Sequence, residues 1–303
     1  MRPTTAAGNT AMGRMPVAHL GCGFRSPAEF RVRAAEYIAE GLAHNRRIEF
    51  VGRGSGEQLR AELAALPGIT ERLNAGGVAV TPVVEFYAAT PGTDVADPQV
   101  AVAALVAAVD EAIDDGYTGL CVIVEATAVA QRPEQREALA RFEFLIDQQV
   151  MVRPLSALCG YDISQLAGAA SELICLHPDA GPPAPSFRLY AEPGAAFALA
   201  GEIDSASDEL YTTTLQRIWP LNADDPVIID AQRLQFVSHQ QLYTLDHYAR
   251  ADGRKVILCT DQPILTRLGG LLDLTNVETR PVGAQPVTHT NDPGRPAPQE
   301  AGG

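Results

Sequence analysis

The sequence predicts a protein of two α/β domains, the first of them built on a mostly parallel sheet. Its 303 residues exceed the usual size of a single domain. Apolar, strand-like runs alternate with helical patterns along most of the chain, an order typical of parallel sheets covered by helices. A segment with four prolines, 178–186, separates a first block, 17–177, from a second block, 187–281. Because prolines are excluded from helices and central strands, we expect a semi-rigid linker there.

The first block is predicted to alternate helices and strands. Ser26 followed by Pro27 marks the start of the first helix, since serine caps helices and proline suits their first turn. The apolar run 120–124 is typical of a strand that is buried on both faces. In chain order the predicted elements are helix 26–45, strand 47–51, helix 57–66, strand 78–86, helix 97–115, strand 119–124, helix 133–149 and strand 155–158.

The second block begins with two strand-like segments and then alternates helix and strand. This order predicts a small, compact α/β layer fold. In chain order the predicted elements are strand 187–191, strand 196–201, helix 207–219, strand 226–230, helix 238–251, strand 255–259, helix 262–274 and strand 277–280.

Charge and cysteine content exclude several classes of function. The formal net charge is −14, the isoelectric point is about 4.8, and Lys255 is the single lysine. Nucleic-acid surfaces usually carry a basic patch, so we expect no direct binding of nucleic acid. The five cysteines are scattered and lie mostly in apolar runs, which indicates buried free thiols.

The sequence also predicts a cytoplasmic protein without a membrane segment. No apolar run reaches the ~20 residues that a membrane helix needs. The N-terminus lacks the apolar core of a signal peptide. The segments 1–16 and 282–303 are rich in small, polar, proline or glycine residues, which predicts disordered tails at both ends.

Short motifs of the second block follow the order found in one known family of domains. These motifs are Gly-Glu-Ile-Asp at 201–204, Val-Ile-Ile-Asp at 227–230, Leu-Gln-Phe-Val at 234–237, Lys-Val-Ile-Leu at 255–258 and Leu-Gly-Gly-Leu at 268–271. With them the block resembles a STAS domain, the fold of anti-sigma-factor antagonists. The resemblance implies an anti-sigma factor or another regulatory protein as partner, and it is compatible with a homo-oligomer.

The same resemblance implies a docking surface at the start of the helix predicted at 238–251. Its candidate residues are Asp204, Asp230, Ser238, His239 and Gln240. Gln240 stands where phosphorylatable members carry the acceptor serine, and an amide cannot accept a phosphoryl group. We therefore expect docking without the usual phosphorylation switch.

Ser238 itself has two interpretations. Ser238 and Gln241 fit a capping box, in which each side chain bonds the backbone amide of the other residue. A phosphorylation site shifted to Ser238 is the alternative. We favour the capping box.

Motifs of the first block point to a second family. They are His19, the segment 24–30, Tyr-Ile-Ala-Glu-Gly-Leu at 37–42, Gly-Tyr-Thr-Gly-Leu at 116–120, Arg-Phe-Glu at 141–143, Leu-Cys-Gly-Tyr-Asp at 158–162 and His177. The block resembles the MEDS sensory domain, which stands at the front of bacterial and archaeal regulators. The resemblance implies a fold related to RecA/KaiC-type ATPases that have lost nucleotide binding, and it implies small organic compounds as ligands.

Candidate ligand-binding residues lie mainly at the predicted strand ends. In open α/β sheets, ligands bind outside the carboxyl ends of the strands. This rule selects Glu85, Tyr87, Glu125, Cys159 and Tyr161. The family motifs add His19 and Glu143.

The sequence predicts no enzyme activity. It has no GxxxxGK[ST] motif to hold nucleotide phosphates, and the loop 52–57 fits a plain turn better than an anion site. His19, Cys22, Cys159 and His177 are zinc-type ligands, but they are spread from residue 19 to residue 177 and do not make a zinc motif. We therefore expect no metal and no cofactor. The alternatives are a nucleotide-binding RecA-like ATPase and a structural scaffold module.

Overall fold

The computed structural model describes residues 18–66, 69–74 and 76–282, which form two sheets with flanking helices. The architecture is α/β, as the alternating pattern predicts. The predicted tails, 1–16 and 282–303, lie outside the described residues except for residue 282. Among the described residues, none of the helices has the length and apolar composition that a bilayer crossing requires.

The first sheet consists of six strands that are all parallel. These strands are β1 (His19–Phe24), β2 (Arg47–Gly52), β3 (Val78–Pro82), β4 (Leu120–Glu125), β5 (Leu155–Asp162) and β6 (Asp179–Gly181). Their order across the sheet is β3-β2-β4-β5-β1-β6. The prediction of a mostly parallel sheet in the first block is thereby confirmed.

Helices cover both faces of this sheet. They are α1 (Pro27–Ala43), α2 (Gly56–Ala64), α3 (Ile69–Asn74), α4 (Val83–Phe86), α5 (Pro98–Asp114), α6 (Pro133–Val150), α7 (Ile163–Leu166) and α8 (Ser171–Ile174). Alternate side chains of β4 enter different cores: Cys121 packs with the α1 side, and Val122 packs with the α5 and α6 side. Burial on both faces explains why this strand has no polar residue before Glu125.

Several elements of the first block differ from the sequence prediction, which did not include β1, α7 or α8. The strand predicted at 78–86 ends at Pro82, because proline has no N–H to donate to the ladder, and α4 follows it. Helix α3 is too short for a clear apolar period and was not predicted. Strand β5 continues past residue 158 to Asp162. Gly160 inside it lets the ring of Phe30 on α1 approach the strand backbone closely.

The second sheet is mixed. Its strands are β7 (Phe187–Tyr190), β8 (Phe197–Ile203), β9 (Val227–Val237), β10 (Val256–Cys259) and β11 (Val277–Arg280), and its helices are α9 (Asp208–Ile218), α10 (His239–Ala251) and α11 (Pro263–Leu271). The order is β11-β10-β9-β8-β7, with β7 antiparallel to β8 and the other pairs parallel. Strand β9 runs without a break through the two motifs at 227–230 and 234–237, and its pairing with β8 shifts register at two irregularities.

The two sheets share one hydrophobic core. The core on the α5 and α6 face continues into the second block through Phe187, Leu199 and Tyr211. The backbone N–H of Leu189 donates to the carbonyl of Cys175 at 2.8 Å. Three residues of the predicted linker form β6, which pairs with β1 at the sheet edge. An edge position tolerates the prolines that follow, so the segment is partly strand rather than only a linker.

Arg217 on α9 joins the blocks through charge. Its guanidinium donates to Glu172 at 2.7 Å and to Glu137 at 3.1 Å, and both carboxylates belong to the first block. The Arg217 side chain is almost fully buried, whereas Glu137 is partly exposed. The bond to Glu172 therefore contributes more to the stability of the junction than the bond to Glu137, because water screens exposed pairs.

Arg217→Ala is expected to lower the free energy of unfolding by about 2 kcal/mol, because Glu172 loses a charged hydrogen-bond donor at a buried junction. Urea denaturation followed by circular dichroism measures this change. Arg267→Ala, at an exposed position of α11, is the control and should stay within about 0.5 kcal/mol of the parent chain. Equal stability of the Arg217 variant and the parent chain would contradict a role in joining the blocks.

Candidate functional site

Four ionisable side chains meet in the interior beside the first sheet. His19 lies on β1, Glu143 on α6, Cys159 on β5, and His177 follows α8. All four are buried, and we call them the buried cluster. Each of them is a candidate from the sequence, and the fold brings them together from four separate parts of the chain.

Strand geometry explains the membership of the buried cluster. β1 and β5 are parallel neighbours, with Gly21 opposite Cys159. Side chains alternate along a strand, so His19 and Cys159 point to the α6 face, whereas Cys22 joins the core on the α1 face. Gly21 leaves room for a ring, since a Cβ there would lie 2.7 Å from Nδ1 of His177. Of the four histidines and cysteines considered as zinc ligands, Cys22 alone lies elsewhere.

Short distances connect the members of the buried cluster. Nε2 of His19 lies 3.1 Å from Oε2 of Glu143 and 3.6 Å from Sγ of Cys159. The same Glu143 oxygen lies 3.5 Å from Nε2 of His177 and 3.7 Å from Sγ of Cys159. The two imidazole ring centres are 4.1 Å apart. The Glu143 carboxylate is therefore the centre of the group.

A second layer of hydrogen bonds orients these side chains. The Tyr161 hydroxyl donates to Oε1 of Glu143 at 2.6 Å. Nδ1 of His19 lies 3.1 Å from Oδ1 of Asp147, and Nδ1 of His177 lies 3.1 Å from the carbonyl oxygen of Leu173. Asp147 is not among the residues predicted from the sequence. Its position four residues after Glu143 on one helix face is the signal that could have identified it.

Asp147 also links the buried cluster to the second block. Its Oδ2 atom accepts a hydrogen bond of 2.9 Å from the backbone N–H of Ala191, directly after β7. The other oxygen faces His19. A change at His19 thus acts on the junction between the sheets through a single side chain.

Burial and charge shift the pKa values in this region. Burial alone would lower the pKa of His19, but its hydrogen bonds to Asp147 and Glu143 raise that pKa to about 9. Burial would raise the pKa of Glu143, yet His177 and His19 hold it well below its usual range. Burial and the charge of His19 lower the pKa of His177. Burial and the Glu143 carboxylate raise the pKa of the Cys159 thiol and the Tyr161 hydroxyl.

A separate cleft opens at the carboxyl ends of β1, β2, β4 and β5. Its volume is about 240 Å³, which suits a small molecule. Three aromatic rings and a leucine form its apolar lining, and charged groups surround them. The lining residues used below are Phe24, Phe30, Phe50, Leu59, Arg53 and Glu125. The position is the one predicted for ligands of an open parallel sheet.

Glu125 is the predicted pocket residue that lines this cleft. Its Oε1 atom accepts a hydrogen bond of 3.0 Å from the backbone N–H of Thr127. Burial raises the pKa of Glu125, although the bonds from Thr127 and the charge of Arg53 act in the opposite direction. A carboxylate that is only partly compensated is suited to bind a donor group of a ligand.

Two predicted pocket residues lie apart from both the cleft and the buried cluster. Glu85 is exposed on α4. Tyr87 is buried, its ring packs edge-on against Phe142 at 5.0 Å, and its hydroxyl has no hydrogen-bond partner among the described residues. Burial and the nearby Glu143 charge raise the pKa of Tyr87 well above its ordinary value. Tyr161, in contrast, contacts Glu143 directly.

The predicted docking residues of the second block are only partly assembled. Gln240 lies 3.5 Å from Asp208, and Asp204 caps a short turn just before α9. Ser238 precedes α10, and His239 begins it in an exposed position. Asp230, expected beside this helix at a strand end, lies inside β9 and binds its own neighbour, Gln232, at 2.9 Å. Because β9 continues to Val237, Asp230 is roughly 20 Å along the strand from the start of α10.

The capping box predicted at Ser238 is absent from α10. The Ser238 side chain makes no capping bond to the backbone and instead contacts the side chain of Gln241. The Gln241 amide donates to the carbonyl of Asp204 at 3.3 Å and to Asp208 at 3.1 Å. The nearby start of α9 thus competes for Gln241, which sequence spacing could not reveal.

An all-parallel sheet with a cleft at the carboxyl ends of its strands is the architecture of a ligand-binding α/β domain. Residues 18–178 match the family model described as MEDS, the methanogen/methylotroph DcmR sensory domain. The match covers more than half of the 303 residues, and the chain belongs to this family. Membership in a sensory family indicates a role in signalling. No curated protein matches the chain. The STAS resemblance of the second block stays a prediction.

Tyr161→Phe is expected to lower the free energy of unfolding by about 2 kcal/mol, because Glu143 loses a hydrogen bond to a buried charge. Tyr87→Phe is the matched control, since it removes a buried hydroxyl that has no partner, and it should be neutral or slightly stabilising. Thermal and urea unfolding measure both variants. Equal losses for the two would mean that the Tyr161–Glu143 bond adds nothing specific.

Proposed function

We propose that this protein is a signalling regulator that binds a small organic ligand in its first domain and docks a regulatory protein through its second. The cleft at the carboxyl ends of the first sheet carries this proposal. It combines apolar rings with a few polar groups, Arg53 and Glu125 among them, and this mixture is common in small-molecule sites. Membership in a sensory family supports the same reading.

A non-enzymatic role agrees with the geometry between β1 and α1. Only Arg25 and Ser26 separate the strand from the helix, which leaves little backbone to surround phosphates. Gly23 packs closely, since a Cβ there would lie 2.9 Å from Ile163. These features support a RecA/KaiC-like scaffold that has lost nucleotide binding rather than a working ATPase.

The second block would carry the output as a STAS-like domain at 187–281. Its partner would be an anti-sigma factor or a similar regulatory protein, and its contact surface the start of α10 with Ser238, His239 and Gln240. Phe236 and Tyr243 beside this surface are large apolar side chains that remain exposed. The net charge of −14 disfavours nucleic acid as a partner, and the shortness of the apolar runs disfavours a membrane helix. Both support action in the cytoplasm.

Ligand binding in the cleft can be tested with the full chain. A panel of water-soluble organic compounds small enough for 240 Å³ is screened by thermal shift, and hits are measured by calorimetry. Glu125→Gln and Arg53→Ala should weaken a hit by about tenfold, as expected when a charged contact is lost. Arg60→Ala, exposed on α2 and outside the cleft lining, is the control. Hits that bind all variants equally, or no hits at all, would refute the cleft as the sensory site.

Partner docking is tested by affinity capture from the native cell. The parent chain should retain a regulatory protein that His239→Glu with Gln240→Arg loses, because these exposed side chains lie on the proposed surface. Arg267→Glu on α11 is the control and should retain it. Retention by both variants would remove this surface from the account.

A further inference from the structure

The buried cluster has the ligand set and spacing of a metal site. One atom each of His19, Glu143, Cys159 and His177 lies within 4.8 Å of the other three. Tetrahedral zinc places two nitrogen or oxygen ligands about 3.3 Å apart and a sulfur about 3.6 Å from either. The nitrogen–oxygen distances here are 3.1 and 3.5 Å, and the sulfur distances are 3.6 and 3.7 Å. We propose that the buried cluster binds one zinc-class divalent cation.

The outer contacts are those that metal ligands need. A metal-bound histidine usually donates its other ring N–H to a carboxylate or a backbone carbonyl, which fixes its tautomer. His19 faces Asp147 in this way, and His177 faces the carbonyl of Leu173. Tyr161 holds the second oxygen of Glu143, so the first oxygen is left to the cation.

An unsatisfied atom independently points to a missing ligand. Nε2 of His177 is completely buried and has no hydrogen-bond partner among the described residues. Its ring is directed at the Glu143 carboxylate, 3.5 Å away, by the bond of its other nitrogen to Leu173. Buried polar atoms without partners are costly and rare in native proteins. A cation between His177 and Glu143 would give this nitrogen a partner.

Charge balance favours the same occupant. Glu143 lies in the interior, where a carboxylate needs compensation of its charge. A divalent cation with the Glu143 carboxylate and the Cys159 thiolate makes a neutral centre, and the Cys159 proton leaves to solvent on binding. Four protein ligands leave no open position, so the cation would be structural or regulatory rather than catalytic.

The position of the centre gives it a role beyond ligand binding in the cleft. It would join β1, α6, β5 and the segment after α8, and Asp147 would connect it to Ala191 in the second block. Binding of the cation would change the charge next to His19 and Asp147, and through Asp147 it would act on the junction between the sheets. This inference does not depend on a ligand in the cleft.

The test is uptake of Zn²⁺ and Co²⁺ by the full chain. After incubation with Zn²⁺ and desalting, elemental analysis should find one equivalent per chain. Co²⁺ in the same place should show the visible bands of a tetrahedral ion and a thiolate-to-cobalt charge-transfer band. Cys159→Ser should abolish the charge-transfer band, and His177→Gln should weaken Zn²⁺ binding at least a hundredfold.

Three further variants separate metal binding from packing. Asp147→Asn should weaken Zn²⁺ binding by ~10–100-fold, as loss of an outer-contact carboxylate does. Cys22→Ser and His44→Gln, which change a cysteine and a histidine outside the buried cluster, should leave both spectrum and stoichiometry unchanged. If a ligand variant fails to fold, the cobalt spectrum of the parent chain decides.

Three outcomes would overturn the proposal. The first is Zn²⁺ uptake far below one equivalent per chain, and the second is a cobalt spectrum without thiolate charge transfer. The third is metal binding by the Cys159 and His177 variants that is as tight as that of the parent chain. Any of these would identify the buried cluster as a metal-free ion-pair network.

Discussion

The structure depends on keeping the Glu143 carboxylate ionised inside a hydrophobic core. A buried carboxylate is tolerated only when several groups compensate its charge. Here the compensation comes from His19 on β1, His177 after α8 and the hydroxyl of Tyr161 on β5. Each group comes from a different element, so the strand order and the placement of α6 must all be correct before the charge is satisfied. The buried cluster therefore specifies one arrangement of the domain.

The same requirement couples the two halves of the chain. Asp147 stands one helical turn after Glu143 and divides its two oxygens between His19 and the N–H of Ala191. Arg217 adds a charged contact at the same junction, and the apolar core runs through it. A regulator needs such a shared element, because a signal in one domain reaches the other only through contacts whose energy it changes. The residues that line the cleft belong to the first block, and those of the proposed docking surface belong to the second.

Much of the fold follows from local pattern, whereas the site depends on pairing. Apolar alternation and helix caps predict most strands and helices, since both are set by residues close in sequence. Whether Cys22 or Cys159 lies beside His19 depends on which strands become neighbours and which sheet face each side chain joins. The local sequence does not contain that information. The Ser238 capping box failed for a similar reason, because Gln241 binds Asp208 of another helix. Asp230 was misplaced because two apparent strands are one continuous β9.

The most direct measurement of the central claim is anomalous diffraction from a crystal of the full chain, with data on both sides of the zinc absorption edge. The account predicts one strong peak enclosed by His19, Glu143, Cys159 and His177, with bond lengths of about 2.0–2.3 Å. A map without a peak among these four side chains, from crystals grown in the presence of Zn²⁺, would contradict it.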